Sequence, residues 1–438
     1  MISRPRGRRL RPGVEPLDDR CLPSGFTPAQ IASAYGLDSI AFSSPSGATV
    51  AGDGSGQTIA IVGAFHTPTL PADLDVFSRS YGLPEPKLQV VNLAGSKTNA
   101  AWASESALDV EWAHALAPGA SLLMVEAKSD TQSDLMDAVN LARNIPGVVA
   151  VSMSWALPES AGQKTLDSIF TTPAGHVGIT FVAASGDGGA SGGAVYPASS
   201  ANVLGVGGTT LTLDASGGIQ NETTWADSGT GLSTITAKPA YQRTLQKTGV
   251  KSVPDVSFLS DPDTGVQVYS TPPGASTGSW QVVAGTSMGT PAWAAIVAIV
   301  AQGRALEGKP SLDGGSQTLP LLYALPSSSF NPVASGRPGK STAVNLAAGL
   351  GTPRGEAVVR GLVSVASTTA SAAASPATHQ PTRMGPAVLS ARAPRRPTLV
   401  RRQPTPPPRP PVNHPARSLR RLAATARVGR VDSSSSFW

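Results

Sequence analysis

Cysteine is almost absent from this chain. Cys21 is the only one in 438 residues, so no intrachain disulfide can form and the redox compartment cannot be read from the sequence. No apolar run approaches the roughly 20 residues of a membrane-spanning helix; the apolar stretch 291–301 is too short and reads as a buried helix. Zinc-ligand spacing, a phosphate loop and internal repeats are also missing. Residues 1–21 carry six arginines but no apolar segment, so the layout of a conventional secretory signal is lacking. Asp18-Asp19-Arg20 before Cys21 is unlike a lipoprotein anchor site.

Charge is unevenly spread. The formal net charge is +6, yet residues 371–438 hold 12 arginines against one aspartate, and residues 1–21 hold six arginines against three acids. The remaining 22–370 keeps 16 basic and 24 acidic residues, a balance of −8. The basic character therefore belongs to the two ends. From about 366 the chain turns Ala/Ser/Thr-rich and then Pro/Arg-rich, a composition that cannot bury a core and reads as disordered. Such a tail could touch an anionic surface, but it has no interleaved aromatics or recognition fold. We expect a solvated tether and no specific nucleic-acid partner.

Three segments carry chemistry. In QVVAGTSMGTPAW (281–293) an apolar pair runs through a small-residue turn to Pro291, which opens the helical run PAWAAIVAIVAQG. Ser287 is thus expected in a turn leading into a helix N-terminus, where free N–H groups and the helix dipole favour developing negative charge. Alone, the segment reads equally as a turn capping a helix. In ESALDVEWAHALAPGA (105–120), Leu108, Trp112, Ala115 and Leu116 recur at helical spacing, and Pro118-Gly119 ends the pattern. Glu105 and Asp109 stand four residues apart on one face, a spacing that by itself fits a solvated acidic face better than a site. In FVAASGDGGA (181–190), Asp187 follows an apolar strand at its carboxyl end, where open α/β sheets collect functional groups. An isolated SGDGG reads first as an aspartate steadying a glycine turn.

Continuous apolar runs at 58–65, 121–127, 148–155 and 179–184 predict buried parallel strands, and helical patterns lie at 105–117, 133–144 and 160–172. Strands alternating with helices predict an α/β domain with a mostly parallel sheet covered by helices on both faces.

GTSM with a small residue and proline resembles the nucleophile segment of subtilisin-like proteases and of the sedolisins, the serine-carboxyl peptidases. A subtilisin-type triad would need a histidine base and an aspartate after the first strand. None of His66, His114, His176, His379 and His414 lies in an HGTxxAG-like segment, and QTIAIVGAF ends without the aspartate. Residues 105–120 instead resemble the catalytic helix of the sedolisins, and SGDGGA their SGDxGA. Further similarity runs from FTPAQIASAYG (26–36) through GQTIAIV, GVVAVSMSW, VPDVSFLSDPDTG and GLGTP.

This resemblance implies a subtilisin-like peptidase domain over 26–365, a leader over 1–25 and a tail over 366–438. It implies a serine-type endopeptidase acting on polypeptides, with Ser287 as nucleophile, Glu105 as base, Asp109 as its orienter and a protonated Asp187 as oxyanion donor. Activity would favour acidic medium. Trp155 matches a family tryptophan near the site, though it reads equally as core. The stretch RPGVEPLDDRCLPS resembles a short leader of exported bacterial proteins, which points to a secreted or cell-surface location, although a disordered basic arm fits the stretch nearly as well; a monomer is expected.

Two departures stand out. The family usually has a long prodomain, whereas FTPAQIASAYGLDSI, resembling the mature start, begins after 25 residues. The family's calcium site needs an aspartate where Pro332 stands and another where Asn345 stands, so calcium binding is expected to be eroded and no metal or other cofactor is assigned. These departures keep open a rival reading, a catalytically silent exported binding protein on the same fold.

Overall fold

A computed structural model of the chain describes residues 24–243, 245–334 and 346–366. The leader up to residue 23 with Cys21, Asn345 and the tail beyond 366 lie outside the described residues.

The elements that build and position the site alternate along the chain. Helix α1 (Pro28–Ala34) precedes β1 (Thr58–Ala64), α2 (Leu70–Ser80), β2 (Lys87–Asn92), α3 (Ala100–Leu116), β3 (Ser121–Ala127), α4 (Gln132–Ala142) and β4 (Val148–Met153). Then come β5 (Thr180–Ala184), β6 (Val203–Leu213), β7 (Ile219–Thr224), β8 (Val256–Leu259) and the hairpin β9 (Val266–Ser270) with β10 (Ser279–Val283). Helix α5 (Thr286–Leu306) and α6 (Gly355–Ser364) follow.

The central sheet has eight strands in the order β7-β6-β5-β4-β1-β3-β2, with β8 also paired to β6. All its pairings are parallel except β6 with β7. Side chains alternate across the pleat, so each strand feeds two cores. Ile59 and Ile61 of β1 pack with Leu108 and Trp112 of α3 and with the apolar run of α5. Ala60 and Val62 of the same strand pack with Leu135, Ala138 and Val139 of α4 on the opposite face. The sheet is mostly parallel and covered on both faces, as the apolar runs predict.

Helix α5 is the axis of the first core: every residue from Thr286 to Arg304 is buried. A helix apolar all round can exist in water only when enclosed like this.

The structure differs from expectation at five places. Helix α3 begins at Ala100 rather than 105, because the Asn99 side chain accepts from the N–H groups of Ala101 and Trp102. Helix α5 begins at Thr286 rather than Pro291, so Ser287 lies inside the first helical turn and not in a turn before it. The pattern at 160–172 forms 3₁₀ turns over Ala161–Phe170. Strands β2 and β6 were not visible in the sequence. The first is a half-exposed edge without a continuous apolar run. The second is interrupted by glycines, of which Gly208 is required because a Cβ there would lie 2.7 Å from Ser260 and 2.9 Å from Trp225.

No described helix is long and apolar enough to cross a membrane.

Candidate active site

Three elements deliver the four singled-out residues to one place. Helix α3 carries Glu105 and Asp109 one turn apart on the face toward α5. The loop after β5 carries Asp187, and the first turn of α5 carries Ser287. All four come together beyond the carboxyl ends of parallel strands, the usual crevice of such sheets.

Gly285 makes the approach of the last two possible. Its φ is 106°, and an added Cβ would sit 2.6 Å from Asp187 Oδ2. Both facts require glycine. The next residue, Thr286, then clamps the acid: its N–H donates to Asp187 Oδ1 at 2.9 Å and its hydroxyl at 2.8 Å. The same hydroxyl accepts from Gly186 N–H at 3.1 Å, tying the SGD loop to the helix start. Thr286 had no role in the sequence reading. Its signal was its place beside the serine, where an N-terminal hydroxyl can bridge to a loop.

Ser287 is buried, and its side chain hydrogen-bonds the Glu105 carboxyl. Glu105 Oε1 is enclosed and has no partner among the described residues. Burial pushes Glu105 up to about 8; the Ser287 hydrogen bond opposes this and the Asp187 charge adds to it. Asp109 is buried outright and held well above the usual carboxylate range by burial and by the Glu105 charge, with a hydrogen bond from Ser154 as a partial offset. The two α3 carboxyls are thus linked by charge, in surroundings too dry to ionise both cheaply.

Ser154 is a second residue the sequence reading passed over. It follows β4 directly, and its Oγ lies 2.6 Å from Asp109 Oδ1 and 3.2 Å from the Ser287 carbonyl. Its neighbour Trp155 belongs to the core: it is buried, with Nε1 donating to Val62 O at 3.0 Å.

The described histidines are engaged elsewhere. His66 Nδ1 pairs with Glu126 at 2.7 Å, His114 Nε2 bonds Pro84 O at 2.9 Å, and His176 bonds Ile145 O and Val177 O. His379 and His414 lie outside the described residues.

Near the C-terminal strand ends, where a cation site would be sought, Pro332 offers no side-chain oxygen, and Asn331 Oδ1 accepts from Arg354 Nε at 3.0 Å. A guanidinium already takes that oxygen. Among the described residues no group of three or more His, Cys, Asp or Glu could hold a metal ion.

Comparisons with known proteins bear on the family and the fold. Residues 89–311, which include all four site residues, match the family model described as the subtilase family. Sedolisin of Pseudomonas sp. (strain 101) is 33% identical over 196 residues, which is 38% of this chain and 32% of that protein. Physarolisin of Physarum polycephalum is 27% identical over 323 residues, 60% of this chain and 55% of that protein. The chain thus aligns with about a third and about half of these relatives' lengths. Among solved structures, Pseudomonas sedolisin, a serine-carboxyl proteinase complexed with two molecules of pseudo-iodotyrostatin, superposes with a TM-score of 0.64 at 24% identity, over 77% of this chain and 97% of that one. That likeness shows the shared fold.

Proposed function

Because this chain belongs to the subtilase family, we propose that it is a serine-type endopeptidase that replaces the histidine base with a carboxyl pair, as its sedolisin relatives suggest. The observation that carries this reading is the Ser287 hydroxyl on the Glu105 carboxyl, with Asp109 behind it and Asp187 at the helix start.

Ser287 Oγ attacks the scissile carbonyl carbon while its proton passes to Glu105. Negative charge then develops on the carbonyl oxygen beside the first turn of α5. There Asp187, holding a proton, donates to the oxyanion with backbone N–H groups of that turn. Thr286 fixes Asp187 through Oδ1 and so holds its carboxyl at the start of α5. Glu105 next returns its proton to the leaving amine, and the acyl-enzyme forms. Water attacks the ester by the same route in reverse roles, and Ser287 is regenerated.

The protonation state follows from crowding. Three carboxyls share a closed site, and each charge raises the cost of the next. The working state has one negative charge, on Glu105, with protons on Asp109 and Asp187. Losing a second proton removes the oxyanion donor or doubles the buried charge. Activity is proposed to peak below neutrality and fall on the alkaline side, which requires that bound substrate bring the Glu105 carboxyl down from the value of about 8 that burial gives it in the free protein. The substrates are polypeptides in extended or unfolded segments, and the protein is proposed to act outside the cell as a monomer without calcium.

The test is cleavage of an unfolded protein by the purified full chain between pH 3 and 8, with Ser287→Ala as control. Activity in acid that Ser287→Ala abolishes supports the reading. Equal activity of the two proteins removes Ser287 from the mechanism.

A further inference from the structure

Pro291 stands four residues after Ser287 inside α5. In an α-helix the N–H of residue i bonds the carbonyl of residue i−4, and proline has no N–H to give. The carbonyl of the nucleophile has therefore lost its ladder donor. A hydroxyl from another element stands in its place: Ser154 Oγ, buried at the end of β4, 3.2 Å from Ser287 O and 2.6 Å from Asp109 Oδ1.

A hydroxyl has one proton, so Ser154 can donate to only one of these oxygens at a time. When Asp109 holds a proton, both bonds can be made: Asp109 O–H donates to Ser154 Oγ, and Ser154 O–H donates to the Ser287 carbonyl. When Asp109 is ionised, the carboxylate is the stronger acceptor and takes the Ser154 proton. The Ser287 carbonyl then loses its donor. The complete arrangement is the one with the pair's proton on Asp109, which leaves Glu105 as the base.

We propose that Ser154 is a positioning residue that ties Asp109 to the backbone of the nucleophile, and that Pro291 is the residue that makes this tie possible. The inference rests on the serine-carboxyl reading for its effect on turnover, while the Ser154 link itself does not.

Other charges do not supply the coupling. Glu105 is the ionisable neighbour whose charge reaches Asp109. Of the remaining groups on elements packed against α3, Asp73 bonds Thr271, Glu126 bonds His66 and Thr67, and Asp75 and Arg79 are exposed on α2. Arg304 is held by backbone carbonyls at the far end of α5. On α3 itself, Glu111 and His114 bond Tyr269 N and Pro84 O, away from Ser154.

The test is a double-variant cycle read by carbon-13 NMR of aspartate-labelled full chain in the Ser287→Ala background, with Asp109 assigned by its loss in Asp109→Asn. Ser154→Ala removes a donor to the carboxylate and should raise the titration midpoint of Asp109 by about one pH unit, the equivalent of one charge-assisted hydrogen bond. Pro291→Ala restores a backbone donor to the Ser287 carbonyl, frees Ser154 for Asp109 and should lower the midpoint. With Ser154→Ala already present, Pro291→Ala should leave it unmoved. A merely structural serine gives no reason for Pro291 to influence Asp109. In the active chain, Ser154→Ala should lower kcat about tenfold with KM little changed, and Ser154→Thr should recover it. A null cycle in a chain that cleaves protein overturns the Ser154 link. A chain that shows the cycle but cleaves nothing at any pH overturns the peptidase reading instead.

Discussion

Glu105→Gln should make the fold less sensitive to rising pH. The carboxyl of Glu105 is pushed from 4.5 up to about 8, mainly by burial. A folded-state value above the unfolded one means that the folded protein binds the proton more tightly. The stability gained is complete below about pH 4.5, shrinks as pH rises and is gone above about pH 8. At roughly 1.36 kcal/mol per pH unit, the interval from 4.5 to 7 has a ceiling of about 3 kcal/mol. Charge shared with Asp109 and Asp187 reduces what one residue can account for, so about 1–2 kcal/mol is the working figure. Glutamine keeps the shape and cannot ionise. The difference in stability, variant minus wild type, should therefore grow by about 1–2 kcal/mol between pH 4 and 7, or a few degrees in Tm. Thermal and urea unfolding of both chains in a Ser287→Ala background, which removes self-cleavage, reads this out. A difference that is flat across that range would refute the reasoning, because a carboxyl that ionises in the unfolded chain and stays protonated in the folded one must leave a slope.

Gly285→Ala should cut kcat/KM about 100-fold or more with the fold retained, since the new methyl group at φ 106° displaces Asp187 from the oxyanion position, as steady-state kinetics and circular dichroism would show. Asp187→Asn keeps a donor that cannot ionise, so in a variant with measurable turnover the alkaline limb of kcat/KM should flatten. Chelation should matter little: a weak site contributes little through mass action, so EDTA should shift Tm by no more than a degree or so. A large Tm loss restored by calcium would show that other oxygens complete a site.

What could be read in the sequence follows from how local each signal is. Strands β1, β3, β4 and β5 are buried on both faces, so their apolar runs are unbroken and legible. Strand β2 at the sheet edge and glycine-rich β6 have no such run, and only the sheet as a whole assigns them. Ser287 and Asp187 stand out in the sequence because each sits at a strand or helix end marked by small residues, but that position fits a plain turn as well, and only family likeness gives them roles. Glu105 and Asp109 were readable through family likeness alone, since their spacing fits a solvated face equally well. Burial, not spacing, separates the two readings, and burial is a property of the neighbours. Thr286 and Ser154 stayed hidden for the same reason. Their partners are 99 and 45 residues away in the chain, and a serine or threonine announces no long-range bond. Pro291 was read as a helix opener, whereas the helix already runs from Thr286 because α5 is held by packing on every side.

The most direct test of the serine-carboxyl account is kcat/KM against pH, from pH 3 to 8, for the wild-type chain and Ser287→Ala on one unfolded protein substrate. The account predicts a maximum below neutrality, a fall toward pH 8 and no turnover by the variant. A wild-type maximum near pH 8 would point to a histidine-type base and contradict the account.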